Sequence, residues 1–378
     1  MNIEQLVSRV LDPDWLSDQA GRSVRAARLR IKPRTSLVVG LDDAAGQPVG
    51  WLRFLWPISH NKAARTSQEA GELGLETSEH ELGELLVQTG PLPADPKLLT
   101  RINTATTAGE IGRWEASQVL RYNPLRRVVV RDGMRVVRVA TSRDRGVAFD
   151  RFMAGVVETP RRLDDGTLDG VSVHAFTGDL DLADLLDGNP PGADRDPVHG
   201  ASDPVRASGA MLARLHAAAV PGDLGRSLAA CTADPVAQGL AHAALLDELA
   251  PDLAERMRRV AAELPGVASA MPVLSHGDLS ADQVLTTHAG DAVWLTDFDR
   301  ACLAPRAVDL GSFLAVLDDA AFLDGYRDGG GQVPPEDQLR RAVAASLILR
   351  AADPLRRACR DWKQQVSANL DRIREVAT

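Results

Sequence analysis

Two carboxylates and an amide bracket one short hairpin late in the chain. Residues 274–299 read Leu-Ser-His-Gly-Asp-Leu-Ser-Ala-Asp-Gln-Val-Leu-Thr-Thr-His-Ala-Gly-Asp-Ala-Val-Trp-Leu-Thr-Asp-Phe-Asp. Short apolar runs at 283–286 and 292–296 flank a turn at 287–291, the pattern of two antiparallel strands. Asp278 stands just before the first strand, Asp297 and Asp299 just after the second. A tight hairpin brings Asp278, Gln283 and Asp297 to one rim. That set suits phosphoryl transfer. One carboxylate accepts the proton of an attacking hydroxyl, while an amide oxygen and a second carboxylate hold magnesium on nucleotide phosphates.

The segment resembles the catalytic region of the aminoglycoside phosphotransferase and choline kinase-like superfamily. His276-Gly277-Asp278 and the residues that follow are similar to its H-x-D loop, where a metal-binding Asn stands five residues after the Asp. Thr296-Asp297-Phe298-Asp299 is similar to the metal-binding Asp segment that replaces the protein-kinase D-F-G. Val308-Asp309-Leu310-Gly311 is similar to the D-L-G or D-L-A beyond it. The resemblance implies Asp278 as catalytic base, braced by His276, with Mg2+ held by Gln283 and Asp297 and a second ion helped by Asp299. Asp309 is then structural. It also implies ATP or GTP as phosphoryl donor and a hydroxyl of a small molecule as acceptor: an antibiotic, a sugar or a natural-product intermediate. Gln283 departs from the family's Asn, but its carbonyl is also a hard oxygen ligand, one methylene farther out.

A chain of 378 residues has ample length for two lobes with their own cores. Its hydrophobic share of 44% and charged share of 25% are globular values. The net charge of −9 argues against binding to nucleic acid or anionic membranes and is compatible with a cationic substrate. Cys231, Cys302 and Cys359 form no C-x-x-C, which predicts reduced thiols in a cytoplasmic protein. The first residues read as an amphipathic helix rather than a signal peptide, and there is no run of 18 apolar residues to span a membrane.

The elements that position these groups follow from the patterning. Residues 1–20 predict a helix, and strands are expected at 26–31, 36–41 and 50–56. Residues 73–90 read as helical, with Leu82, Leu85, Leu86 and Val87 on one side. The strand pair returns at an offset of 91, in Leu120 to Pro124 and Val128 to Val130, followed by a third strand at 134–140. This predicts a duplicated three-stranded antiparallel unit. The fold class is therefore α+β and two-lobed, kinase-like through the resemblance. Residues 1–175 form the N-terminal lobe (1–100 the first hairpin unit and helices, 101–175 the nucleotide-holding sheet), and 176–378 the helical catalytic and substrate lobe.

In the second unit Arg138 stands where the resemblance puts a phosphate-binding Lys, with Asp150 or Glu158 as its acid partner. No glycine-rich cover is present. The turn in its place carries Arg126 and Arg127, which read as solubilising residues, with phosphate contact as the alternative. The strand at 171–176 leads to the expected hinge, where backbone groups of Ala175 to Thr177 would read the adenine edge. His174 and His216 read as packed or structural. The loop at 188–203 and the last two helices are candidates for the acceptor wall, and the stripe Trp362, Val366, Leu370, Ile373 reads as core. A second reading stays open: a degenerate kinase fold that binds a peptide as a scaffold, since the glycine loop and the Lys are altered.

Overall fold

Capping residues and breakers set the start of the chain. Asn2 and Gln5 form a reciprocal capping box on α1 (Ile3–Val10). Asp12 caps α2 (Pro13–Ala20), with Pro13 in its first turn. Residues 1–20 are thus two helices rather than the one expected, because Asp12-Pro13 ends the first and opens the second. The computed structural model describes residues 1–112, 114, 118–142, 144–188, 203–228, 234–264 and 271–377.

Strands β1 (Arg25–Lys32), β2 (Ser36–Asp42) and β3 (Pro48–Leu55) form an antiparallel meander. Helix α3 (Asn61–Glu72) leads to β4 (Ser78–Leu82) and β5 (Leu85–Pro91), giving a five-stranded sheet of order β1-β2-β3-β5-β4. The helix expected over 73–90 is this hairpin. Leu82 pairs with Leu85 across a tight turn in which Gly83 has φ 63°. The leucine spacing fits either period, and insertion of β5 between β3 and β4, buried along most of its length, decides for the strand.

After α4 (Leu99–Thr107), β6 (Gln118–Asn123), β7 (Arg127–Asp132) and β8 (Arg135–Ala140) repeat the meander. Helix α5 (Val147–Ala154) and β9 (Val171–Ala175) complete a sheet of order β6-β7-β8-β9. The duplication is visible in register. Lys32↔Ser36, Ile31↔Leu37 and Arg30↔Val38 recur 91 residues on as Asn123↔Arg127, Tyr122↔Val128 and Arg121↔Val129. Each turn places a non-glycine residue in the left-handed region just after a proline, Arg34 (φ 53°) and Leu125 (φ 61°). The buried carboxylate of Asp95 fastens the second turn, accepting the Leu125 N–H (2.8 Å) and the Tyr122 hydroxyl (2.7 Å).

The second half is mainly helical: β10 (Leu180–Asp181), α6 (Leu182–Asp187), α7 (Pro204–Ala217), α8 (Gly222–Ser227), α9 (Pro235–Leu246) and α10 (Pro251–Glu263). Strand β11 (Pro272–Ser275) then pairs with β14 (Cys302–Pro305). Between them, β12 (Val284–Thr286) and β13 (Val293–Leu295) form the hairpin, to which β10 adds a third strand. The chain ends with α11 (Ala307–Val316), α12 (Ala320–Asp328), α13 (Glu336–Arg350), α14 (Asp353–Arg356) and α15 (Trp362–Ala377). Trp362, Val366, Leu370 and Ile373 of α15 are buried in one core with α1, the first sheet, α9, α10 and α13. That stripe is core, as the sequence predicts. A second core joins α5, α7, the hairpin and α11. Most of the loop at 188–203, and Cys231, lie outside the described residues. Among the described residues no helix is long and apolar enough to cross a membrane.

Candidate active site

The loop that carries Asp278 hangs from one buried carboxylate. Asp309, in the first turn of α11, accepts the His276 N–H (2.7 Å) and the Gly277 N–H (2.8 Å), and sits 3.1 Å from His216 Nε2. His216 in turn meets the Tyr326 hydroxyl through Nδ1 (2.8 Å). Burial pushes the Asp309 pKa up, but His216, then His276 and the Gly277 N–H, hold it below the usual carboxylate range. Gly277 has φ 82°, and a Cβ there would lie 2.2 Å from the Arg300 carbonyl oxygen, so only glycine fits. His276 is fully buried, with Nε2 2.9 Å from the Thr296 carbonyl and its ring 4.8 Å from that of Phe298. It ties the loop to the hairpin.

The hairpin register, Val284↔Leu295 to Thr286↔Val293, brings Gln283 against Thr296, whose N–H donates to the Gln283 carbonyl (3.0 Å). Asp297 follows in the left-handed region at φ 63°, an unfavourable conformation for a non-glycine residue. Both of its carboxylate oxygens lie 2.8 Å from Arg127 Nη1. Burial pushes its pKa up, but Arg127 and then Arg138 hold it below the ordinary value. Asp299 is paired with Arg138 and lies 3.7 Å from Arg127.

These contacts correct two expectations. The acid partner of Arg138 is Asp299, not Asp150 or Glu158. Asp150 is held by Arg162 (2.7 Å) and lies 3.7 Å from His174, while Glu158 pairs with Arg214. Arg127 does not merely solubilise a turn, since it bonds the metal-ligand candidate Asp297. Strand alternation carries the missed signal. Arg138 opposes Val129, and Arg127 lies two residues from Val129 on the same strand, so both arginines share one face.

Asp278 accepts Arg350 Nη2 at 3.0 Å and faces Arg300 Nη1 at 3.3 Å, and Arg350 also donates to the Ser312 hydroxyl (3.1 Å). Arg350 was not legible as a site residue, because nothing local marks α13 as a neighbour of the loop, whereas Arg300 directly follows Asp299 and its place in the motif stretch was the signal missed. Asp282, beside Gln283, accepts from Ser280 and Arg121; burial pushes its pKa up, and these partners bring it below the usual range. At the hinge the Ala175 N–H donates to the Arg161 carbonyl (2.8 Å), the Phe176 N–H to Met134 (2.8 Å), and the Thr177 hydroxyl to the Ala175 carbonyl (3.1 Å). Those donors are already engaged. Among the described residues the Thr177 N–H and the Phe176 carbonyl remain for a ligand.

The donor set fits magnesium. The side-chain oxygen of Gln283 is buried and, among the described residues, has no hydrogen-bond partner. An acceptor left without a donor beside a depressed carboxylate is what a hard cation satisfies. Among the described residues there is no group of three or more His, Cys, Asp and Glu able to hold a metal. An ion here would draw only an amide and a carboxylate from the chain and the rest of its shell from phosphate and water, which suits Mg2+.

The profile of the phosphotransferase enzyme family matches residues 109–344, more than half of the chain. Among solved structures, APH(2")-IIia in its GDP and kanamycin complex aligns at TM-score 0.51 and 17% identity, over 74% of this chain and 98% of that one. The GDP complex of wild-type aminoglycoside 2'-phosphotransferase-IIIa aligns at TM-score 0.50 and 16% identity, with 74% and 98% coverage. A choline/ethanolamine kinase family protein from Mesorhizobium loti aligns at TM-score 0.49 and 17% identity, covering 74% and 93%. No curated relative matches. The family match encloses the hairpin, the Asp278 loop and Asp309, and on it the chain belongs to the phosphotransferase enzyme family.

Proposed function

We propose that the protein moves the γ-phosphoryl group of ATP or GTP to a hydroxyl of a small molecule. The observation that carries this reading is the rim where the buried, partnerless oxygen of Gln283 and the depressed carboxylate of Asp297 stand on one hairpin, behind the loop bearing Asp278. Asp278 takes the proton of the acceptor hydroxyl. Arg350 and Arg300, bonded to its two oxygens, aim that carboxylate. Gln283 and Asp297, helped by Asp299, would hold Mg2+, which neutralises phosphate charge when bound. With magnesium on the aspartates, Arg127 and Arg138 would be available to the phosphates, since guanidinium groups bind carboxylate and phosphate alike. In this reading residues 1–175 form the sheet-bearing lobe, with nucleotide held by 101–175, and 176–378 the catalytic and acceptor lobe. Thr177, rather than the N–H of Ala175, offers the hinge donor to the base.

One observation favours the second reading, a binding protein on a kinase fold: Arg127 covers both oxygens of Asp297. Thermal stability with and without Mg·ATP and Mg·GTP separates the two. A ligand at about 100 times its dissociation constant adds roughly 2.7 kcal/mol. A magnesium-dependent shift that vanishes in Asp297→Ala supports the enzyme. Absence of any shift with either nucleotide leaves the binding protein.

A further inference from the structure

The surroundings of the base are basic. Arg350 makes its bonds to Asp278 and Ser312 through Nη2 alone, and among the described residues its Nε and Nη1 have no partner. Arg300, on the other side of the carboxylate, is largely exposed. Asp282, on the same loop, is matched by Arg121 at 3.0 Å. Arg28, half-buried on β1, and Arg357, exposed just past α14, belong to the same electrostatic neighbourhood. Burial lowers the pKa of Arg28, as do the charges of Arg121 and Arg357, while Asp353 and Asp282 oppose this. Neither Arg28 nor Arg357 has a side-chain hydrogen bond or ion pair among the described residues. Asp353 is matched by Arg356 (3.1 Å), and Asp181, which feels Asp282 and Arg121, caps α6 by accepting the Asp184 N–H (2.8 Å).

An ammonium group entering beside Asp278 would meet the guanidinium groups of Arg350 and Arg300, which already hold its carboxylate. A carboxylate or phosphate would find donors in place, as charge-assisted bonds require. We propose that the acceptor is anionic: a small molecule bearing a carboxylate or phosphate group beside the hydroxyl that is phosphorylated. This rests on the phosphotransferase reading. In the reaction the acceptor oxygen bonds the γ-phosphorus, the bond from that phosphorus to the bridging oxygen breaks, ADP or GDP leaves with the electron pair, and the hydroxyl proton passes to Asp278. Arg350 and Arg300 hold the anionic group next to the base, and Arg28 and Arg357 attract it from solution.

The γ-phosphate could answer to the same arginines, so the test is run on protein saturated with Mg2+ and a non-hydrolysable ATP or GTP analogue. Nucleotide binding is read first, and its failure sinks the phosphotransferase reading separately. Inorganic phosphate, with kanamycin as the cationic probe, is then titrated at constant ionic strength and followed by melting temperature. The expected result is a saturable stabilisation by phosphate, none by kanamycin, and a phosphate affinity at least tenfold weaker in Arg357→Gln and in Arg350→Lys. Arg357 is exposed, so its variant folds even if Arg350→Lys does not. The proposal is overturned if kanamycin stabilises the loaded protein where phosphate does not. It is equally overturned if nucleotide loading abolishes the phosphate effect, or if Arg357→Gln leaves it unchanged.

Discussion

The two meanders share a register, a proline turn with a left-handed residue and an arginine on the third strand, yet they use that arginine in opposite ways. Arg53 opposes Val38 in the first sheet as Arg138 opposes Val129 in the second. Arg53 is 5% exposed, donating through Nε to Gln88 (2.8 Å) and through Nη2 to the Lys62 carbonyl (2.8 Å) and the Thr66 hydroxyl (2.9 Å). Burial lowers its pKa to about 10. Arg138 instead reaches out of its sheet to Asp299 of the other lobe. The neighbouring strand accounts for the difference. Arg53 faces Gln88 across β5, whereas Arg138 faces Ser172 across β9, a side chain too short to retain a guanidinium. Likewise Ser36 occupies, in the first copy, the register position that Arg127 holds in the second. One copy closes on its third-strand cation and uses it as scaffold. The other exports two cations to the cleft.

The largest effect belongs to the site that the second copy faces, through Asp278. Asp278→Asn is expected to reduce phosphoryl transfer by about 10²–10⁴-fold while Mg·nucleotide affinity stays near wild type. Loss of nucleotide binding along with turnover would show instead that Asp278 supports the fold of the loop.

The paired arginines dissociate the two roles. Arg53→Met strands the Gln88 side-chain oxygen in the core and is expected to lower stability by about 1–3 kcal/mol, with nucleotide affinity intact in the folded fraction. Arg138→Met is expected to weaken nucleotide about ten- to a hundredfold, the magnitude of one bond to a charged group, with little change in melting temperature. Denaturant melts and nucleotide titrations on both variants decide. Equal destabilisation by the two would erase the distinction between scaffold and cleft.

Arg127→Ser installs the first copy's residue in the second, and its signature is a pH dependence. The Asp297 pKa lies below its ordinary value in the folded protein, so its contribution to stability is present above the unfolded value, about 3.9, and is lost as pH falls through the folded one. Removing the guanidinium raises the folded value, so the loss begins at higher pH. Melts from about pH 3 to 6 should show wild type ahead of the variant at the upper end, with the gap closing as the carboxylate protonates in both. A gap of constant size would mean that the ion pair contributes nothing through charge.

How much of this was legible depended on sequence distance. The hairpin, the Asp278 loop and the place of Asp309 lie within one short stretch whose turn chemistry and spacing are local. The repeat was legible because its register and turn are written twice. Arg127 was not, since Asp297 lies 170 residues away and one arginine in a turn resembles another. Arg350 came from α13 for the same reason. Residues 73–90 misled because their leucines suit both periods, and only the place of β5 inside a sheet settles the matter. The charge of −9 was compatible with a cationic substrate, but net charge is a property of the whole surface, and Asp278 and Asp282 each stand against an arginine.

The smallest expected effect gives the sharpest form of the comparison. Ser172→Gln places opposite Arg138 the residue that Arg53 has opposite it. If the neighbouring strand decides where the cation points, the new amide should accept from Arg138 as Gln88 accepts from Arg53, drawing it back from Asp299. Nucleotide affinity is then expected to fall about three- to tenfold, the worth of one ordinary hydrogen bond diverted, with turnover at saturating nucleotide little changed. Ser172 is buried, so Ser172→Leu serves as the control for added volume without an acceptor. A loss of affinity in the glutamine variant beyond that of the leucine variant assigns the effect to the amide. Equal losses would attribute it to crowding, and the difference between the two sheets would then rest on Arg127 and Ser36 alone.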